Sequence, residues 1–277
     1  LEVSMEKLKK ALKTLKRYGF IYLIFIKNCL IRQMEYPANF FLSMLLECCF
    51  LGAKLVYTFL ISNTNVNLNG LPSDSIFIFT GSFLLMTGFY MAFFYFNFSN
   101  IKEYVTDGSL DIFITKPVSL QFMTTLRYVD FSTMIPNFIG GIIILVVGWQ
   151  KSGVEVSFVK VAGYIGYLIS GVVITYSVML APQLLNFIII KGYALGEIAD
   201  ALWDSNSMPM SIYSKPIKII GTYVFPLFIL SNFSSLFVLD KLGAVNIIWG
   251  IAAPVLFFFL VRLLWKNIIK KYSSASS

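Results

Sequence analysis

The side chains in this sequence best able to do chemistry are charged groups set among apolar ones. Glu47 and Lys54 lie seven positions apart within one apolar run, a spacing that returns both to the same face of a helix. Ionisable groups in such a setting are expensive to bury, so they mark either a solute pathway or a partner on a neighbouring helix or subunit. Glu197, Asp200 and Asp204 follow at spacings of three and four, which on a helix make one acidic stripe. That stripe could line an exit path for a cationic or amphipathic solute, or pair with Lys215 and Lys218 in the next connection.

Other chemistry is removed by what the chain lacks. It has no histidine, so Ser-His and Cys-His catalysis and histidine-based zinc sites are excluded. Cys48 and Cys49 are adjacent in an apolar run and Cys29 lies in the basic N-terminal third, a distribution that gives no disulfide framework. No G-x-x-x-x-G-K-[ST] phosphate loop occurs, so hydrolysis of ATP by that machinery is not expected of this chain alone. No catalytic residue, no metal ligand and no cofactor is assigned to it.

The elements holding these charges follow from composition. The 277 residues are 57% hydrophobic and 13% charged, against about 45–50% and about 25% in soluble domains, and the apolar residues fall in blocks near the length of a membrane span. The expected fold is an all-α integral membrane protein with six transmembrane helices, preceded by basic amphipathic interfacial helices over 5–36. In that segment Lys9, Lys10, Lys13, Lys16 and Arg17 surround Leu8, Leu12 and Leu15, and 20–36 forms a second interfacial helix ended by Pro37. A single membrane domain, 38–271, follows, with spans near 38–61, 76–98, 131–149, 158–180, 184–203 and 245–264. The turn at 181–183 separates the fourth span from the fifth, which also contains Lys191. The block 217–239 is interrupted by Pro226 and reads as re-entrant half-helices. The net charge of +8 is concentrated near the N-terminus, which fits a membrane surface rather than nucleic acid. Loop charges place both termini in the cytoplasm, with the polar 62–75 loop and Ser207 outside, and the expected location is the plasma membrane of a bacterial cell.

One loop carries a more specific signal. In Thr106-Asp107-Gly108-Ser109-Leu110-Asp111-Ile112-Phe113-Ile114-Thr115-Lys116-Pro117, Gly108 permits a tight turn and Ser109 can cap a short helix. Leu110, Phe113 and Ile114 then share a face, Asp111 favours the positive helix end, and Pro117 stops the helix. On these residues alone the loop is either a docking tip or a connector lying on the membrane surface.

The order Gly108-Ser109-Leu110-Asp111, with Lys116-Pro117 six residues after the aspartate, resembles the signature of ABC-2 type exporter permeases, the membrane subunits of ATP-binding-cassette exporters. Pro209, Ile212-Tyr213, Pro216 and Val224-Phe225-Pro226 are similar in order and spacing to the late outer region of that family. The resemblance implies a dimer with a second permease subunit, identical or paralogous, each half seated on a cytoplasmic ABC ATPase subunit that binds ATP and Mg. It also implies that the N-terminal helix and Asp107, Gly108, Leu110, Asp111, Phe113, Lys116 and Pro117 meet that ATPase. The cargo expected is amphipathic, a peptide, drug or lipid-like molecule. Two other readings remain open: an ion-coupled secondary transporter using Glu47, Lys54 and the acidic stripe, and a membrane-embedded lipid-modifying enzyme.

Overall fold

The structure is a computed structural model and describes residues 2–64, 72–188 and 193–272. Lys191, residues 65–71 of the 62–75 loop and the serine-rich tail from 273 lie outside the described residues, as do the side chains of Lys7 and Leu8. No strand occurs among the described residues. The helices are α1 (Glu2–Glu35), α2 (Pro37–Asn63), α3 (Ser75–Phe89), α4 (Phe96–Thr106), α5 (Ser109–Ile114), α6 (Leu120–Thr125), α7 (Phe131–Lys151), α8 (Phe158–Leu184), α9 (Tyr193–Asp204), α10 (Lys215–Ile219), α11 (Asn232–Val238) and α12 (Ala244–Ile268).

Among the described residues, five helical stretches are long and apolar enough to cross a bilayer: Pro37–Asn63, Ser75–Thr106, Phe131–Lys151, Phe158–Phe187 and Ala244–Lys271. The chain is therefore an all-α, multi-pass membrane protein. The stretch Ser75–Thr106 is the central one. It runs through α3, a π-turn at Tyr90–Tyr95 and α4, and most of its side chains are buried. α7 packs against it at backbone distance. A side-chain carbon at Gly148 would stand 2.7 Å from the Ile78 amide nitrogen, so only glycine admits this approach. In contrast, α2 turns Phe41, Leu45, Phe50 and Phe59 outwards, each more than half exposed.

The N-terminal segment is one helix, not two. α1 runs unbroken to Glu35, because nothing between Arg17 and Phe20 stops it except Gly19, whose cost inside a helix is only about 1 kcal/mol. Pro37, at the first turn of α2, does separate the elements.

The region after α8 departs further from expectation. The turn expected at 181–183 is helical: α8 continues through Pro182, and a 3₁₀ turn at Leu185–Phe187 extends it, with Leu180 and Leu184 fully buried. Proline removes one amide donor near a helix end that would lack partners anyway. The stretch 184–203 is accordingly not one helix. α9 has 12 residues, about 18 Å of rise, well short of an apolar thickness of about 30 Å. Yet the chain between the two ends of this region covers more than α9 does. Phe187 meets Trp265 near the end of α12 at 5.6 Å, whereas the Met210 amide, six residues beyond α9, donates to Asn232 Oδ1 at 2.7 Å.

The block 217–239 is broken in the middle. α10 passes into a π-turn at Ile220–Val224, the helix stops at Phe225-Pro226, and a 3₁₀ turn leads to α11. The Leu230 carbonyl lies against Gly171 in the body of α8, and Asp240 returns to the start of α8, where Lys160 Nζ reaches its Oδ2 at 2.7 Å. Ser235, Ser82 and Tyr164 form a buried hydroxyl chain joining α11, α3 and α8, with links of 3.1 and 2.9 Å.

Candidate functional site

The 107–130 loop is built from its own residues and from α1. Gly108 adopts a left-handed φ of 75°, which turns the chain at the end of α4. The capping acceptor is Asp107, whose Oδ1 takes the Ser109 amide at 2.8 Å, in place of the expected Ser109. That hydrogen bond holds the exposed Asp107 carboxyl below the usual carboxylate range. Asp111 falls in the first turn of α5, near the positive helix end.

Leu110 is fully buried, and Phe113 sits between Tyr104, at 5.1 Å edge to face, and the Arg127 guanidinium, at 5.2 Å. Ile114 does not join this face. Leu110 and Phe113 fill the seat of α5 on α4 and α6, and Ile114 is left 50% exposed beside Ile112 at 59%. Thr115, Lys116 and Pro117 are exposed as well. The loop thus presents an apolar tip with a cation at its edge, carried on two buried anchors.

α1 clasps the other side of this loop. Lys9, Lys10, Lys13, Lys16 and Arg17 are all exposed, and Arg17 Nη2 donates to the Pro117 carbonyl at 2.6 Å. The Ser119 amide donates to the Tyr18 hydroxyl at 2.9 Å, and Tyr18 and Phe25 enclose the Phe122 ring at 4.9 and 5.8 Å. Further along, Gln33 donates to the Val129 carbonyl at 2.7 Å and accepts the Phe131 amide at 3.0 Å. Buried Cys29 donates to the Arg127 carbonyl at 3.6 Å, and its burial pushes the thiol pKa up, so it remains protonated.

The loop is tied equally firmly to the central helix. Asn97 exchanges two hydrogen bonds with the Tyr128 backbone, at 2.8 and 2.9 Å. The Asp130 amide donates to the carbonyl of Ala92, inside the π-turn, at 2.9 Å. The wider turn supplies the acceptor on which the loop closes.

The charges singled out by spacing fall into two groups. Glu47 and Lys54 line one cavity of about 330 Å³ between α2, α3 and α7, where Glu47 accepts from Asn137 Nδ2 at 2.7 Å and Lys54 lies 4.9 Å from the Phe83 ring. Glu197, Asp200 and Asp204 share the exposed face of α9, while Leu195, Ala199 and Trp203 bury the other. Trp203 stacks on Tyr90 at 4.3 Å. Asp204 is within electrostatic reach of Lys54, so the stripe ends beside the cavity.

Sequence spacing did not single out Arg262. It belongs to α12, and its guanidinium donates to Gln121 Oε1, itself bonded through Nε2 to the Tyr176 hydroxyl at 2.9 Å. The test applied to Glu47 and Lys54, a charge inside an apolar run, would have found it.

The family model described as ABC-2 family transporter protein matches residues 48–276. No curated protein and no solved structure matches the chain.

Proposed function

Because the chain belongs to the ABC-2 transporter family, and so is a permease subunit of an ABC transporter, we propose that it is an exporter subunit driven by a separate ATPase through the tip of the 107–130 loop. The observation that carries this reading is the pair of exposed isoleucines, Ile112 and Ile114, on a short helix whose other face is locked by Leu110 and Phe113. Exposed apolar side chains on a firmly anchored knob are suited to a hydrophobic groove on a partner. In this reading α1 shares the ATPase contact through its lysine face, ATP and Mg stay on the ATPase, and the chain alone catalyses nothing.

ATP-driven closure of the ATPase would push the tip, and Ala92 and Asn97 would pass that push to the central helix. The change requires that the loop bind the open and closed ATPase states unequally. The Glu47–Lys54 cavity and the acidic face of α9 would then line the translocation path for an amphipathic cargo, facing a second permease subunit.

Six crossings fit this arrangement. The run from Phe187 to Met210 supplies the sixth, with α9 as its helical part, and 217–239 dips into the membrane and returns to the side it left. Both termini are then cytoplasmic in a bacterial plasma membrane, with lipid around the exposed faces of α2 and α12.

The test is co-purification with the cognate ATPase. Replacing Ile112 and Ile114 together by Glu is expected to weaken assembly about thirtyfold, or roughly 2 kcal/mol, with no change in the melting temperature of the permease alone. Wild-type assembly by the doubly substituted chain would remove the loop from the coupling interface. Transport driven by an ion gradient without the ATPase would support an ion-coupled transporter instead.

A further inference from the structure

A second cavity, of about 390 Å³, lies between α1, α6, α8 and α12. Its walls are Phe94, Phe122, Val172, Val173 and Phe258, and its polar groups converge on one spot, Gln121, Thr125, Tyr176 and Arg262. Gln121 and Thr125 both bond the Tyr176 hydroxyl, at 2.9 and 3.1 Å, which fixes the floor. Arg262 is the one charged group lining it.

That charge is under-compensated. A guanidinium has five N–H donors, and Arg262 directs one of them to a neutral amide, Gln121. No Asp or Glu lines the cavity, so no carboxylate within it neutralises Arg262. A cation in a spanning helix is expensive unless a partner is present. The remaining donors and the apolar walls therefore call for an anion that brings its own hydrocarbon.

Depth points to a lipid. Arg262 is four residues before Lys266 and the basic end of α12, hence about 6 Å deeper than that rim, at the level where a phosphate meets its acyl chains. We propose that this cavity binds an anionic membrane phospholipid, its phosphate on Arg262 and an acyl chain along Val172, Val173 and Phe258. Tyr18 closes the cavity from α1, and Ser119 and Phe122 close it from the coupling loop, so the bound lipid joins the two elements assigned to the ATPase contact. The site itself does not depend on that assignment.

The full chain alone, purified in detergent, provides the test, with melting followed as phosphatidylglycerol, phosphatidylcholine or inorganic phosphate is added. Phosphatidylglycerol is expected to raise the melting temperature in a saturable way, with the other two inactive. Arg262→Gln should weaken the phosphatidylglycerol response about tenfold or more, and Arg262→Lys should keep part of it. Should Arg262→Gln fail to fold, Val173→Trp fills the cavity while leaving the cation, and is expected to abolish the response. A full response in either variant, equal stabilisation by phosphatidylcholine, or stabilisation by inorganic phosphate alone would overturn the proposal.

Discussion

Asp107 shows how much of the loop rests on single side chains. Its carboxylate accepts the first free amide of α5, and its pKa is lowered mainly by that bond. A carboxylate lowered on folding adds stability above its unfolded pKa and loses it as pH falls through the folded value. The tip should therefore be ordered at neutral pH and loosen below about pH 4. Asp107→Ala should loosen it at neutral pH by about 1 kcal/mol, with the difference from wild type shrinking in acid, whereas Asp107→Asn keeps an acceptor and removes the pH dependence. Hydrogen exchange at residues 108–114, measured against pH, checks all three. The turn itself was legible in Gly108. Which side chain caps was not, because Asp107 and Ser109 both offer an oxygen within reach of the same turn and only the left-handed φ of Gly108 decides between them.

At the scale of elements, the seam between α1 and the loop matters more than either part. Gln33 satisfies a carbonyl and an amide on the segment leading into α7. Gln33→Ala leaves both without that partner, Val129 being 1% exposed, and is expected to destabilise the permease by about 1–3 kcal/mol. Thermal unfolding measures this directly, and Gln33→Glu, which keeps an acceptor but loses the donor, should fall between. The starts of α2 and α7 are legible in sequence, from Pro37 and from the change to apolar residues at Phe131. The continuity of α1 is not, since the passage from Lys-rich to apolar residues near Phe20 changes the solvent of the helix without breaking its hydrogen bonds. Nor is the π-turn at Tyr90–Tyr95, whose residues are ordinary for a span and whose value is the Ala92 carbonyl it gives to Asp130. Similarly, Pro182 reads as a stop, yet the burial of Leu180 and Leu184 outweighs one missing donor.

At the scale of the whole molecule, sidedness turns on the stretch from Phe187 to Met210. Basic residues gather at the end holding α1 and the last turn of α12, including Lys266, Lys270 and Lys271. Positive charge near short loops favours the cytoplasmic side. The other end is not free of cations: Lys151, Lys160, Lys215, Lys218 and Lys241 belong to it, with Lys160 neutralised by Asp240. If 187–210 crosses, α2 and α12 have opposite directions through the membrane and the chain closes with both termini on one side. Were it to turn back at α9, Ser207 would share the side of the 107–130 loop. A cysteine at Ser207 and another at Thr115 separate these cases, in a chain whose Cys29, Cys48 and Cys49 are serine. Serine at position 29 keeps a donor for the Arg127 carbonyl, so the α1 seam should survive the exchange. An impermeant maleimide applied to intact cells is expected to label position 207 and to reach position 115 only after permeabilisation. Labelling of both positions only after permeabilisation would leave five crossings, put the α9 stripe on the cytoplasmic side, and remove it from any exit path.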